Sequence, residues 1–170
     1  MKKFIIALAF VAMTALPAQA QSLVAHINID SLLIEMPEYK QAMEDLKAEQ
    51  AKFEAEAKEM NAELEAAAAK LQDEATSANW TALRRQQEEQ QLQVMYNNIQ
   101  QYLQGAQQML QQMEVEKLTP VLQKLQDAID AAAKDNKVAY VLDASKSKGL
   151  VIYAKGGFDL APAVKEILEK

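Results

Sequence analysis

His26 is the only histidine in this chain of 170 residues, and there is no cysteine. A typical zinc site needs several His or Cys ligands, and a Ser–His–Asp relay needs its histidine beside a nucleophile and a carboxylate. A lone histidine with neither set completes nothing of the kind. Glycine occurs only at positions 105, 149, 156 and 157, which provides no loop to cradle phosphates. The many Asp and Glu residues sit at the flanks of helical repeats and do not converge in an identifiable cleft. The sequence therefore predicts no catalytic residue, no cofactor, no metal ligand and no enzyme.

The chemistry left is non-covalent contact. Glutamine recurs at positions 86, 87, 90, 91, 93, 100, 101, 104, 107, 108, 111 and 112. This is either a weakly charged surface that bonds extended chains through its amides or a solvated helix face, since Gln is a good helix former. Met43, Met60, Met95, Met109 and Met113 are soft enough for promiscuous binding, and equally suited to packing a helical seam. Trp80, the only tryptophan, is either an exposed apolar anchor or a lock on a turn. Arg84 and Arg85 could meet lipid phosphates or acidic partners, or pair along the helix with Glu88 and Glu89.

Two long periodic segments would position these side chains. Tyr39, Met43, Leu46, Gln50, Phe53, Ala57, Met60, Leu64, Ala67 and Leu71 are spaced alternately by four and three, a heptad repeat with Gln50 as its polar break. Pro37 suits a first helical turn, so a helix is predicted from about Pro37 to Thr76. Thr76-Ser77-Ala78-Asn79 favours a turn. Leu92, Ile99, Ala106 and Met113 then repeat every seven residues, with Met95/Tyr96, Tyr102/Leu103 and Met109/Leu110 on the alternate seam. The two stripes imply an antiparallel helical hairpin. Pro120 should kink the return helix, and the stripe resumes around it as Leu118, Leu122, Leu125, Ile129 and Ala132.

Both ends of the chain supply a small β-rich part. Val24–Ile29 reads as a strand with Ala25, Ile27 and Ile29 on one face. Val138–Leu142 and Leu150–Ala154 read as two further strands, paired as a hairpin around the turn-rich Asp143–Gly149. Asp159 should cap a last helix with Pro162 in its first turn. The fold class is mostly α with a small β part (α+β): residues 21–36 and 120–170 form an oligomerisation head, and residues 37–119 a helical-hairpin arm. A head this small rarely stands alone without disulfides, metal or a partner. Association through the apolar strands is expected, by way of Ile27, Ile29, Tyr140, Leu142, Leu150 and Ile152.

Residues 1–20 have the plan of a secretory signal: Lys2 and Lys3, an apolar run from Phe4 to Leu16, and small residues before a cut after Ala20. The run is too short and wrongly flanked to span a membrane. Losing Lys2 and Lys3 takes the net charge from −6 to −8, which argues against nucleic acid and anionic lipid as partners.

The signal, Ala25-His26-Ile27-Asn28-Ile29, the long hairpin, Pro120 and the C-terminal block resemble the Skp/OmpH family of periplasmic chaperones. In that block the carrying residues are Tyr140-Val141-Leu142-Asp143, Leu150-Val151-Ile152-Tyr153-Ala154 and Asp159-Leu160-Ala161-Pro162-Ala163-Val164. The resemblance implies a homotrimer whose arms surround a cavity. It implies a periplasmic, ATP-independent holdase that keeps unfolded outer-membrane β-barrel proteins from aggregating. Candidate client contacts on the arm are then Met60, Leu64, Trp80, Met95, Tyr96, Tyr102 and Met109. One departure stands out: basic arms help the family's enterobacterial members capture clients and lipopolysaccharide, whereas residues 38–119 here carry 8 basic and 15 acidic side chains. No lipopolysaccharide site is carried over. A structural coiled-coil spacer or adaptor of the envelope is the alternative.

Cleavage after Ala20 is the first testable expectation. Intact mass of the exported protein should correspond to a chain starting at Gln21; soluble protein that keeps residues 1–20 would refute it.

Overall fold

The computed structural model describes residues 23–74, 81–154 and 156–170. The order of elements is β1 (Leu23–Ile27), α1 (Ile29–Glu35), α2 (Pro37–Glu74), α3 (Ala82–Asp135), β2 (Val138–Asp143), β3 (Phe158–Asp159) and α4 (Ala161–Leu168). Long helices with a small sheet match the predicted fold class. The expected signal segment and Trp80 lie outside the described residues.

The sheet has the order β2-β1-β3, and both pairings are parallel. Val24 lies beside Tyr140, Ala25 beside Val141 and His26 beside Leu142. The expected hairpin of Val138–Leu142 with Leu150–Ala154 is absent. Leu150–Ala154 carry no strand, and the third strand is Phe158–Asp159, next to Ala25 and His26. The apolar run 150–154 has the composition of a strand, yet β1 takes β2 and β3 as its neighbours and the outer edge of β2 is left without a partner strand. Strand propensity depends on context and does not by itself place a segment in a sheet. The loop that leads away from β2 is tied down instead: Ala144 N–H donates to the Ile27 carbonyl at 2.7 Å, and Ser145 N–H to the Asp143 carboxylate at 2.9 Å.

Ile29 also departs from expectation. The alternation Ala25, Ile27, Ile29 continues the strand period by coincidence, and Ile29 opens α1. Leu32 is that helix's buried position, and Met36, four residues on and just past its end, is buried too. Met36 alone separates α1 from α2, because Pro37 disfavours the helical conformation in the residue before it.

Contacts divide the described chain into two units, residues 23–28 with 129–170 and residues 29–128. In the first, Ala25, Ile27, Ile129, Ala132, Leu160 and Val164 are buried. Helix α3 ends in a left-handed residue, Lys137 (φ 54°), with the Asn136 amide donating to the Ala132 carbonyl. Asp159 supports α4 as foreseen, accepting from Ala161 N–H at 3.0 Å, though the cap position itself is Leu160.

In the second unit α2 and α3 form the antiparallel hairpin. Pairs across it run in opposite directions along the chain: Glu38 with Lys124, Asp45 with Lys117, Phe53 and Glu56 with Tyr102. Helix α3 runs unbroken through Pro120, whose missing N–H leaves the Glu116 carbonyl without its usual helix bond.

The inward stripe of α2 follows the predicted heptad from Phe53 to Leu71; before it Tyr39 and Leu46 hold their predicted places but Met43 and Gln50 do not. Ala42, Leu46 and Glu49 turn inward, while Met43 and Gln50 are exposed. Gln50 donates to Glu54 at 2.7 Å. The inward spacing Glu49–Phe53–Ala57 holds two successive steps of four, a stutter that locally unwinds a supercoil. Helix α3 has the same feature at Tyr102–Ala106–Leu110. The two stutters face each other, and the edge-on ring contact of Phe53 with Tyr102, centroids 6.2 Å apart, lies at that level. Matched stutters keep both stripes in phase where a strict heptad would drift from the helical period.

Candidate functional site

Two surfaces can engage partners. The first belongs to the sheet. Its buried face carries Ala25 and Ile27; the opposite face carries Val24 and His26 on β1 beside Tyr140 and Leu142 on β2. Tyr140 is 65% exposed and Leu142 47%. Parallel strands are almost always covered on both faces, so a naked apolar face on this sheet is a surface in want of a cover. Leu150 (76% exposed), Ile152 (98%) and Tyr153 add more apolar surface in the same unit. Of the six residues expected to mediate association, Tyr140, Leu142, Leu150 and Ile152 have surface to offer. Ile27, 1% exposed, is used up within its own chain, and Ile29 lies in α1. Gly157 packs against the sheet here: a Cβ on it would come within 2.9 Å of the His26 ring. The histidine thus has a packing role beside a close-fitting backbone.

The second surface is the arm. Met60, Leu64, Met95 and Tyr102 are half-buried on the seam stripes, so their apolar surface is mostly spent on the hairpin itself. Tyr96 and Met109 stand outside it, each at least half exposed. Sequence periodicity left three pairs ambiguous, and the structure turns Met95, Tyr102 and Leu110 inward and Tyr96, Leu103 and Met109 outward. Met43, Leu83, Val94 and Val115 are further exposed apolar residues of the arm. Only Met43 stood on a predicted stripe. Val94 and Val115 fall off every periodic stripe, and that mismatch was the available signal for an outward position.

A hollow between α2 and α3 near Pro120 is lined by Pro37, Glu38, Gln41, Ala42, Asp45, Lys117, Val121 and Lys124. The Glu38–Lys124 and Asp45–Lys117 ion pairs span it. Bonding to Lys124 lowers the Glu38 carboxyl below its usual 4.5, and bonding to Lys117 and Gln41 lowers Asp45 below 3.8. Higher up the arm the Tyr102 hydroxyl donates to Glu56 at 2.6 Å. That bond, with Glu56's charge adding to it, pushes the phenol up to about 12. Exposed pairs like these contribute little to stability, so they select the register of the hairpin more than its stability. No described helix is long and apolar enough to cross a membrane.

A family model described as outer membrane protein (OmpH-like) matches residues 23–168. Among solved structures, one from Caulobacter crescentus CB15, described as a candidate outer membrane chaperone (OmpH-like), aligns with a TM-score of 0.70. The alignment has 21% identity and covers 88% of this chain and 85% of that one. At that identity the likeness concerns the fold. No curated protein matches this chain.

The ion pairs give the arm a pH dependence at the acid extreme, and the Tyr102–Glu56 hydrogen bond gives it one at the alkaline extreme. Glu38 and Asp45 titrate lower in the folded chain, so their contribution is present above 4.5 and 3.8 and is lost as the pH falls below those values. Tyr102 titrates higher, so its contribution is full below 10 and is lost as the pH rises toward 12. Thermal unfolding followed by circular dichroism should show Asp45→Asn flattening the acid limb alone and Tyr102→Phe the alkaline limb alone. Unchanged limbs in both variants would show that these bonds do not couple the helices.

Proposed function

This chain belongs to the OmpH-like family, and from that premise we propose that it is an ATP-independent holdase of the periplasm that keeps unfolded outer-membrane β-barrel proteins from aggregating. One observation carries the reading from family to mechanism. The arm's seam consumes most of its apolar side chains, and those left outside, Met43, Leu83, Val94, Tyr96, Leu103, Met109 and Val115, are spread along its length. Scattered apolar points give many weak contacts, which sum over a long flexible client while each exchanges quickly.

The holdase works as a homotrimer. The uncovered face Val24, Tyr140 and Leu142 and the segment Leu150–Tyr153 supply the association surface, and hairpins from three copies enclose the client. Confinement then lowers the chance that two unfolded chains meet. Export by the N-terminal signal brings the protein to the compartment its clients cross.

Charge sets this arm apart from basic arms. With 8 basic and 15 acidic side chains over residues 38–119, it repels acidic clients at long range. Salt relieves such repulsion, with a Debye length of about 8 Å near physiological ionic strength. Light scattering should show suppressed aggregation of several unfolded outer-membrane β-barrel proteins without ATP, with affinity unchanged or tighter at high salt. Failure with all of them at a modest excess of trimer would favour the envelope spacer, and marked weakening by salt would refute the electrostatic part.

Leu142→Asp tests the assembly. Leu142 is 47% exposed in the single chain, so a carboxylate there is tolerated by the fold but is costly once a partner buries it. Sedimentation should show monomer with the circular dichroism of the parent; a trimer that persists would place the interface elsewhere.

A further inference from the structure

From Gln90 to Met113 helix α3 contains no Asp, Glu, Lys or Arg. The opposite stretch of α2, residues 44–69, carries eight acidic and three basic side chains. The hairpin is therefore two-faced: one helix presents an uncharged surface of amides and apolar groups, the other an acidic one. Val94, Tyr96, Leu103 and Met109 are the apolar members of the uncharged surface. In its middle stands Gly105, exposed, inside a helix, with open space where a Cβ would be. Glycine weakens a helix interior, and no neighbouring group requires it here. What it leaves is a notch between Gln101, Tyr102, Gln108 and Met109, one turn either way along the helix.

Accepting the holdase reading above, we infer that the outer surface of α3 between Gln90 and Met113 is the client-binding face of the arm, and that its occupant is one extended, uncharged strand segment of an unfolded outer-membrane β-barrel protein. Three physical facts favour that occupant. Burying the charges of α2 against a client would strip them of water at high cost, and α3 incurs no such cost. Gln side chains both donate and accept, so they satisfy the N–H and C=O groups of an extended backbone in any register. The stretch is also the right length. At ~1.5 Å per residue it spans about 36 Å, which holds roughly 11 residues of extended chain at ~3.3 Å each. A membrane-spanning β-strand has about 9–11 residues. The Gly105 notch lets the client backbone lie against the helix at the centre of that span.

Fluorescence anisotropy of a labelled, unfolded outer-membrane β-barrel protein tests this on the full chain. Gln101→Glu with Gln108→Glu changes charge without changing shape and should weaken binding about tenfold or more. Gly105→Ala should raise the melting temperature, as Ala does in a helix interior, and yet weaken binding several-fold. A purely structural glycine would not separate the two readouts. Glu54→Gln with Glu59→Gln on α2 should bind no more weakly than the parent. If the parent suppresses aggregation and the α3 variants bind as it does, the face assignment is overturned while the holdase reading stands. If the parent itself suppresses nothing, the holdase reading fails first. If the α3 variants instead change the sedimentation mass and leave client affinity intact, the surface packs against a second copy of the chain, and the assignment is overturned.

Discussion

Parallel pairing of Leu23–Ile27 with Val138–Asp143 governs the rest of this structure. Antiparallel strands can be joined by a short turn, but parallel ones need a crossover that returns the chain to its starting end. Here everything from Ile29 to Lys137 is that crossover, and the arm is a greatly lengthened insertion between two adjacent strands. The same pairing places β1 at the centre of the sheet, with β3 on its other side. It also creates a parallel sheet with Ala25 and Ile27 buried on one face and Tyr140 and Leu142 exposed on the other.

The arm is held by different means. Its apolar seam provides the stability, and its ion pairs and the Tyr102–Glu56 bond choose which residues meet. The seam is not a uniform heptad. Steps of four at Phe53–Ala57 and at Tyr102–Ala106 occur opposite each other, so both stripes shift together and neither loses contact. Small residues are prominent among the buried ones, with Ala42, Ala57 and Ala106 all under a tenth exposed. Alanine at such positions lets helix backbones approach and forces larger neighbours such as Met43, Leu103 and Met109 outward. The apolar groups on the arm's exterior are thus a by-product of how its interior packs.

Function on this reading rests on surfaces and on no reactive group. A holdase must bind diverse chains loosely, which disfavours a deep pocket and favours a long surface that incurs little desolvation. The separation of charge between α2 and α3 provides such a surface while keeping the whole arm acidic and soluble.

The chain's periodicity alone determined the two long helices, their antiparallel pairing and the presence of strands near both ends; the expected turn Thr76–Asn79 lies outside the described residues. Those features follow from local pattern: period near 3.6, period 2, and turn residues at the breaks. Tertiary structure alone decided the choices among near-equivalent positions. Ile29 continues an alternation yet starts a helix. Met95 and Tyr96 both fit a heptad until packing against α2 picks one. Leu150–Ala154 has the composition of a strand and takes none, while Phe158–Asp159, with hardly a pattern, does. In each case propensity is worth a fraction of a kcal/mol per residue, whereas a free strand edge or a filled seam is worth more, and both are properties of residues far away in the chain.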